Sequence, residues 1–131
     1  MYVRKFLPII PTIFLMSSIQ ANAMTALLRA ELKKLDPQTR LEQRCDIEAM
    51  EAIAKVGRFA PDKAIAYTFA EPIIAGNTIT APGASFRSRN HWYHLKFTCT
   101  TSNDKLNIID FKYTIGSMIA RADWQRYYLV P

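Results

Sequence analysis

Two histidines, two cysteines and a close pair of arginines are the residues here whose types and spacing could do chemistry. His91 and His94 stand three apart in the run His91-Trp92-Tyr93-His94. On a helix that spacing would bring both imidazoles to one face and suit a metal; on a strand it sends them to opposite faces. The run reads as strand, no third ligand stands beside it, and there is no H-E-x-x-H or Cys/His cluster. No metal site and no cofactor is therefore expected. Ser85 and Ser88 lack the G-x-S-x-G setting of an activated nucleophile. Asp104 and Asp110 have no spacing that argues for a paired acid and base, so no residue is assigned a catalytic role.

Arg87 and Arg89 offer binding chemistry instead. Two guanidiniums two residues apart, beside Asn90, His91, Trp92 and His94, combine bidentate anion donors with aromatic surface. Arg121 and Arg126 join them if the C-terminal end packs nearby. Arg87, Arg89, Asn90, His91, Trp92, His94 and Arg121 form the expected binding patch. The structural alternative is that Arg87 or Arg89 pairs with Asp62, Glu71 or Asp110 and fixes a loop. Trp92 and Trp124 would then be core or edge cover.

The N-terminus bears on the partner. Arg4 and Lys5 precede an uncharged apolar run from Phe6 to Met16, and Ala21-Asn22-Ala23 supplies small residues at −3 and −1. Residues 1–23 read as a secretory signal peptide cleaved after Ala23. The apolar run is shorter than the roughly 20 residues a membrane span needs, and Pro8 and Pro11 interrupt it. A periplasmic or secreted product with no transmembrane segment is expected. In that compartment Cys45 and Cys99, the only two cysteines of the chain, are expected to form a disulfide. A redox switch would need an activating C-x-x-C, which is lacking.

Loss of Arg4 and Lys5 lowers the net charge from +6 to +4. The surplus lies late in the chain, with seven basic against three acidic residues from Phe86 to Pro131. The expected partner is an anionic envelope component, such as a lipid headgroup, lipopolysaccharide or acidic glycan, before nucleic acid. A basic but merely solvated surface also accommodates this charge.

The elements that must position these residues follow from periodicity. Thr25–Leu35 has leucines at helical spacing and reads as an N-terminal extension or short helix over 24–34. Asp36-Pro37 is a helix start, with Asp as N-cap and Pro at the first helical position. Leu41, Cys45, Ala49, Ala52, Ile53 and Val56 then form one apolar stripe, with ion pairs Arg44–Glu48 and Glu51–Lys55 on the wet side. Gly57 ends this helix and Pro61 prevents its resumption. A strand is expected with Ile65, Tyr67 and Phe69 on one face, then short strands at Thr78–Ala81 and Ala84–Arg87 divided by a Pro82-Gly83 turn. Trp92–Thr100 alternates, with Tyr93, Leu95, Phe97 and Cys99 inward, after a turn at Arg89-Asn90-His91. Beyond a turn at Ser102-Asn103-Asp104, Ile109, Phe111, Tyr113 and Ile115 form a last inward row, ended by Gly116. Ala122–Tyr128 reads as a short terminal helix.

The fold class is α+β: one long N-terminal helix on a four- to five-stranded antiparallel sheet, with a short C-terminal helix, in a single domain over 35–131. Cys45 on the helix stripe and Cys99 on an inward row would pin the two layers together.

Several ordered motifs are Leu35-Asp36-Pro37, Arg40 through Asp46 (RLEQRCD), Pro61-Asp62, Phe86-Arg87-Ser88-Arg89, Trp92-Tyr93, Phe97-Thr98-Cys99 and Phe111-x-Tyr113-x-Ile115-Gly116, with Arg121 and Trp124 after them. Together they resemble the DUF930 family, a domain of unknown function in alphaproteobacteria, over about Leu35 to Leu129. A glycine often follows the FRSR stretch in that family, where this chain has Asn90, and a proline often precedes the late arginine, where it has Ala120. The resemblance implies the domain boundary and export, and carries over no catalytic residue.

The expected function is a non-enzymatic exported binding module for an anionic envelope ligand. A periplasmic protein–protein module of inhibitor or chaperone type is the alternative, and a small periplasmic hydrolase the weaker one.

Overall fold

A computed structural model describes residues 19–131, with side chains from Ala26 onward. Most of the expected signal segment, residues 1–18, lies outside the described residues. Helix α1 (Ile19–Lys33) spans the expected cleavage point. Helix α2 (Pro37–Lys55) begins where Asp36 accepts a hydrogen bond from the Thr39 amide and Pro37 opens the first turn. Gly57, at φ +84°, follows its end. Arg40 of α2 caps the exposed carbonyls at the end of α1, donating to Leu32, Lys33 and Leu35 at 3.0, 3.1 and 2.9 Å. Of the two expected ion pairs on α2, Arg44–Glu48 forms at 3.5 Å; among the described residues none joins Glu51 to Lys55.

Five antiparallel strands follow: β1 (Pro61–Ile65), β2 (Ile73–Ala75), β3 (Thr78–Ser88), β4 (His91–Thr101) and β5 (Ile108–Met118). The order is β1-β3-β4-β5, with β2 also on β3. β1 pairs with the Ser85–Ser88 end of β3, and β2 with its Thr78–Thr80 end. The architecture is therefore α+β with a five-stranded antiparallel sheet.

The main core lies between α2 and the sheet. Leu41, Cys45, Ala49 and Ile53 of α2 meet Ile79, Phe86, Leu95, Phe97 and Cys99, all buried. Cys45 and Cys99 join there with Cα atoms 6.0 Å apart. Phe59, Phe86 and Tyr93 form a tight aromatic cluster beside them, with ring centroids 5.0–5.2 Å apart.

Several details differ from the periodicity. Pro82-Gly83 is a bulge within one continuous strand β3, not a turn between two. Its cause is a close approach: Phe69 N–H donates to the Gly83 carbonyl at 2.8 Å, and a Cβ on Gly83 would meet the Ala70 nitrogen at 2.5 Å. Only glycine fits there. β1 stops at Ile65, leaving Ala66 buried and Tyr67 exposed, the reverse of a continued alternation. A register shift at Thr100/Thr101 brings Ile108 to the core and leaves Ile109 exposed. β5 also runs past Gly116, whose missing Cβ makes room for His94.

The expected short C-terminal helix takes the form of two 3₁₀ turns, Arg121–Asp123 and Gln125–Tyr127. The segment is too short to sustain an α-helix, and Tyr128 in the left-handed region (φ +56°) ends it. Tertiary anchors hold it. Trp124 and Leu129 pack with Trp92 and Ile119 in a second buried cluster, which Ile65, Phe69 and Tyr127 extend. Both faces of the sheet are thus covered at this end, α2 on one side and the C-terminal turns on the other. Among the described residues no helix is long and apolar enough to cross a membrane.

Candidate functional site

The arginine patch does not assemble as one site. Arg87 is engaged: its Nε and Nη2 grip both Asp62 carboxylate oxygens at 2.8 and 3.0 Å. Its Nη1 donates to the Val130 and Pro131 backbone oxygens at 3.4 and 2.9 Å. That hydrogen bonding holds the Asp62 carboxyl below its usual range. Trp92 is fully buried and donates from Nε1 to the Val130 oxygen at 2.8 Å, so it is core rather than a ligand platform. His94 stacks on Phe69 at 4.5 Å. Asn90, at φ +63°, shapes the two-residue hairpin with Arg89 at φ +48°. Arg89 is exposed and donates to the Arg58 carbonyl at 2.9 Å. His91 and Arg121 share a shallow hollow, where the Arg121 guanidinium lies 4.2 Å from the Trp124 ring centre.

Ser85 and Ser88 are spent on structure too. Ser85 shares a 2.6 Å hydrogen bond with Thr68, and Ser88 accepts from the Ala60 amide at 2.9 Å.

Arg87 therefore positions the chain's end. Replacing it with Ala is expected to lower stability by about 1–2 kcal/mol, since the pair is partly exposed. It should also speed hydrogen exchange at the Leu129 amide, which hydrogen-bonds the Trp124 carbonyl at 2.9 Å. Arg87→Lys should restore only part of the loss, because an ammonium cannot span both carboxylate oxygens and the backbone oxygens together. Urea denaturation with amide exchange checks both.

A cleft of about 900 Å³ lies along β1, the strand that the clamped C-terminal segment and α2 flank from opposite faces. Among the described residues β1 pairs only with β3, which leaves its other edge open. From α2 come Gln43, Asp46, Ile47 and Met50; from β1 and the turn after it, Asp62, Lys63, Tyr67 and Thr68; from the C-terminal turns, Arg126, Tyr127 and Tyr128. Lys63, Arg126, Tyr67 and Tyr128 are exposed. Among the described residues, neither Lys63 nor Arg126 forms an ion pair.

Asp46 is the unusual wall. It is 5% exposed, and its Oδ1 is buried without a hydrogen-bond partner among the described residues. Buried polar groups are nearly always satisfied, so an orphaned carboxyl facing a cleft stands out. Burial first, and then the charge of Glu42, pushes its pKa up to about 8. Glu42 itself is raised by burial and by Glu71. At neutral pH Asp46 is mostly a neutral acid that can donate as well as accept.

The periodicity did not single Asp46 out, because a charged residue beside Cys45 reads as solvated helix surface. Its legible trace was the four-residue spacing from Glu42, a like-charge pair that an exposed helix face disfavours.

These elements define a small α+β domain with its helix and sheet in disulfide geometry and a cleft along an open strand edge. The family model described as Domain of Unknown Function (DUF930) matches residues 32–129, and the chain belongs to that family. No curated protein and no solved structure matches it.

Proposed function

We propose that this is an exported module that binds an anionic ligand of the cell envelope in the cleft along β1, without catalysing its conversion. The carrying observation is that Lys63 and Arg126, exposed and free of ion pairs among the described residues, line the same large cleft as the unpartnered Asp46. A concave site with few convergent polar groups and a strongly shifted carboxyl is the usual form of a ligand site. The cationic side chains supply the anion contact that Arg87, committed to Asp62, does not. Tyr67 and Tyr128 add exposed aromatic surface. The arginine Arg89 and the His91–Arg121 hollow are then general basic surface.

The test is binding to vesicles containing phosphatidylglycerol and to polygalacturonate. Wild type should bind one of them. Joint replacement Lys63→Ala and Arg126→Ala should weaken it about fivefold or more, the effect of roughly 1 kcal/mol, whereas Arg89→Ala with Arg121→Ala should change little. Equal loss from both pairs would place the contact on diffuse charge rather than in the cleft. No binding by wild type would end the anionic-ligand reading.

A protein partner is the second reading, favoured by β5. This strand is an open sheet edge carrying exposed Ile109 and Met118, a form suited to strand addition.

A further inference from the structure

The cleft presents exposed cationic side chains together with a buried carboxyl whose Oδ1 has no donor among the described residues. We propose that its ligand carries a primary ammonium group, docking on Asp46, as well as the anionic group held by Lys63 and Arg126. This deepens the anion-site reading above and rests on it.

Three observations support the ammonium. Asp46 lines the cleft and its buried Oδ1 has no partner among the described residues, so an N–H donated to this carboxyl would engage a group that the fold leaves unsatisfied. Glu42 lies one helical turn from Asp46, and its charge, after burial, raises the Asp46 pKa, so a negative field from a neighbouring group acts at this wall. A cation is drawn to that field and a second anion is repelled. Exposed Tyr67 and Tyr128 line the same cleft and offer ring faces that attract cations. Asp62 is already paired, because Arg87 donates to both its oxygens and balances its charge.

The chemistry is non-covalent and its proton balance is simple. As the ammonium approaches, Asp46 gives its proton to solvent and becomes the carboxylate half of a charge-assisted pair. The ammonium keeps its own protons, and no bond to carbon forms or breaks. A buried carboxylate that would be costly alone becomes stable when so paired.

Calorimetric titration at pH 6.5, in two buffers of different ionisation enthalpy, tests this with phosphoethanolamine, phosphocholine and inorganic phosphate. Phosphocholine keeps the positive charge but has no N–H to donate. Phosphoethanolamine should bind at least tenfold more tightly than either control and release close to one proton per ligand. Asp46→Asn should bring it to the level of phosphate. If phosphocholine or phosphate binds as well as phosphoethanolamine, the ammonium site is wrong while the anion site stands, provided Lys63→Ala with Arg126→Ala weakens phosphate. If phosphoethanolamine binds tightly but ignores that double variant, the ammonium site stands and the anion reading falls. No binding of any probe overturns both. Vesicles containing phosphatidylethanolamine separate the sources: binding there as well assigns a lipid headgroup, and binding only of the free zwitterion assigns a soluble or glycan-borne group.

Discussion

Asp46→Asn is expected to make the folded protein more stable than wild type above neutral pH, by several kcal/mol near pH 8, and to change little near pH 4. In the unfolded chain an aspartate ionises near its ordinary value of 3.8, whereas in the fold burial and Glu42 hold the Asp46 proton up to about 8. Between those values the folded state binds a proton that the unfolded state has lost. Raising the pH therefore favours unfolding, by about 1.4 kcal/mol per pH unit at most. The stabilising contribution is fully present below about pH 4 and is gone above about pH 8. Across the whole interval it amounts to something on the order of 5 kcal/mol, a large part of a small domain's stability. Asparagine has no proton to lose, so its stability should be flat in this respect. Urea denaturation of both proteins from pH 4 to pH 9 measures the difference. Parallel profiles would mean that Asp46 is solvated and ionised.

Opening the Cys45–Cys99 link should have an effect of similar size. The two cysteines are 54 residues apart, and closing a loop of that length is worth about 4 kcal/mol in the chain-entropy model. The consequence reaches the cleft, because Cys45, buried in the helix–sheet core, directly precedes Asp46, a buried wall of the cleft, on α2. In the Cys45→Ser, Cys99→Ser double variant α2 should loosen first and water should reach Asp46. Wild type is expected to lose roughly 4 kcal/mol on reduction, and the advantage of Asp46→Asn at pH 8 should shrink. Denaturation with and without reductant, in both backgrounds, separates the direct loss from this coupling. Identical midpoints with and without reductant would show that the two layers do not depend on the bond.

How much of this was legible in the sequence depended on how local each cause is. Helix α2 could be read because Asp36, Pro37 and Gly57 mark its ends, and Leu41, Cys45, Ala49 and Ile53 recur on one face. The turn at Arg89-Asn90-His91 was equally local, because Asn90 tolerates positive φ between two alternating strands. Pro82-Gly83 misled because the cause of its glycine is Ala70, remote in sequence, which packs against it. Trp92 falls on the face opposite Tyr93, Leu95, Phe97 and Cys99, and alternation distinguishes two faces but not how many are covered. The C-terminal turns bury that face through Trp124 and Leu129. Ile109 was placed inward because one inserted residue at Thr100/Thr101 shifts the parity of β5.

The site was harder to read than the fold for the same reason. The arginines stood out by spacing, yet Arg87 is held by Asp62 and by the last residues of the chain. Asp46 has no motif, and its character arises only when β1 and the C-terminal turns build the cleft beside α2. A charged side chain in an amphipathic helix is ordinarily solvated. Here tertiary packing overrides that expectation.

The most direct measurement is a carbon-13 NMR titration of the side-chain carboxyls in the folded, oxidised protein, with and without phosphoethanolamine. An ammonium site on Asp46 requires that it titrate near pH 8 alone and move to lower pH when the ligand is bound, as Asp62 stays below the ordinary carboxylate range in both. An Asp46 that titrates with the exposed carboxylates, unmoved by ligand, would contradict it.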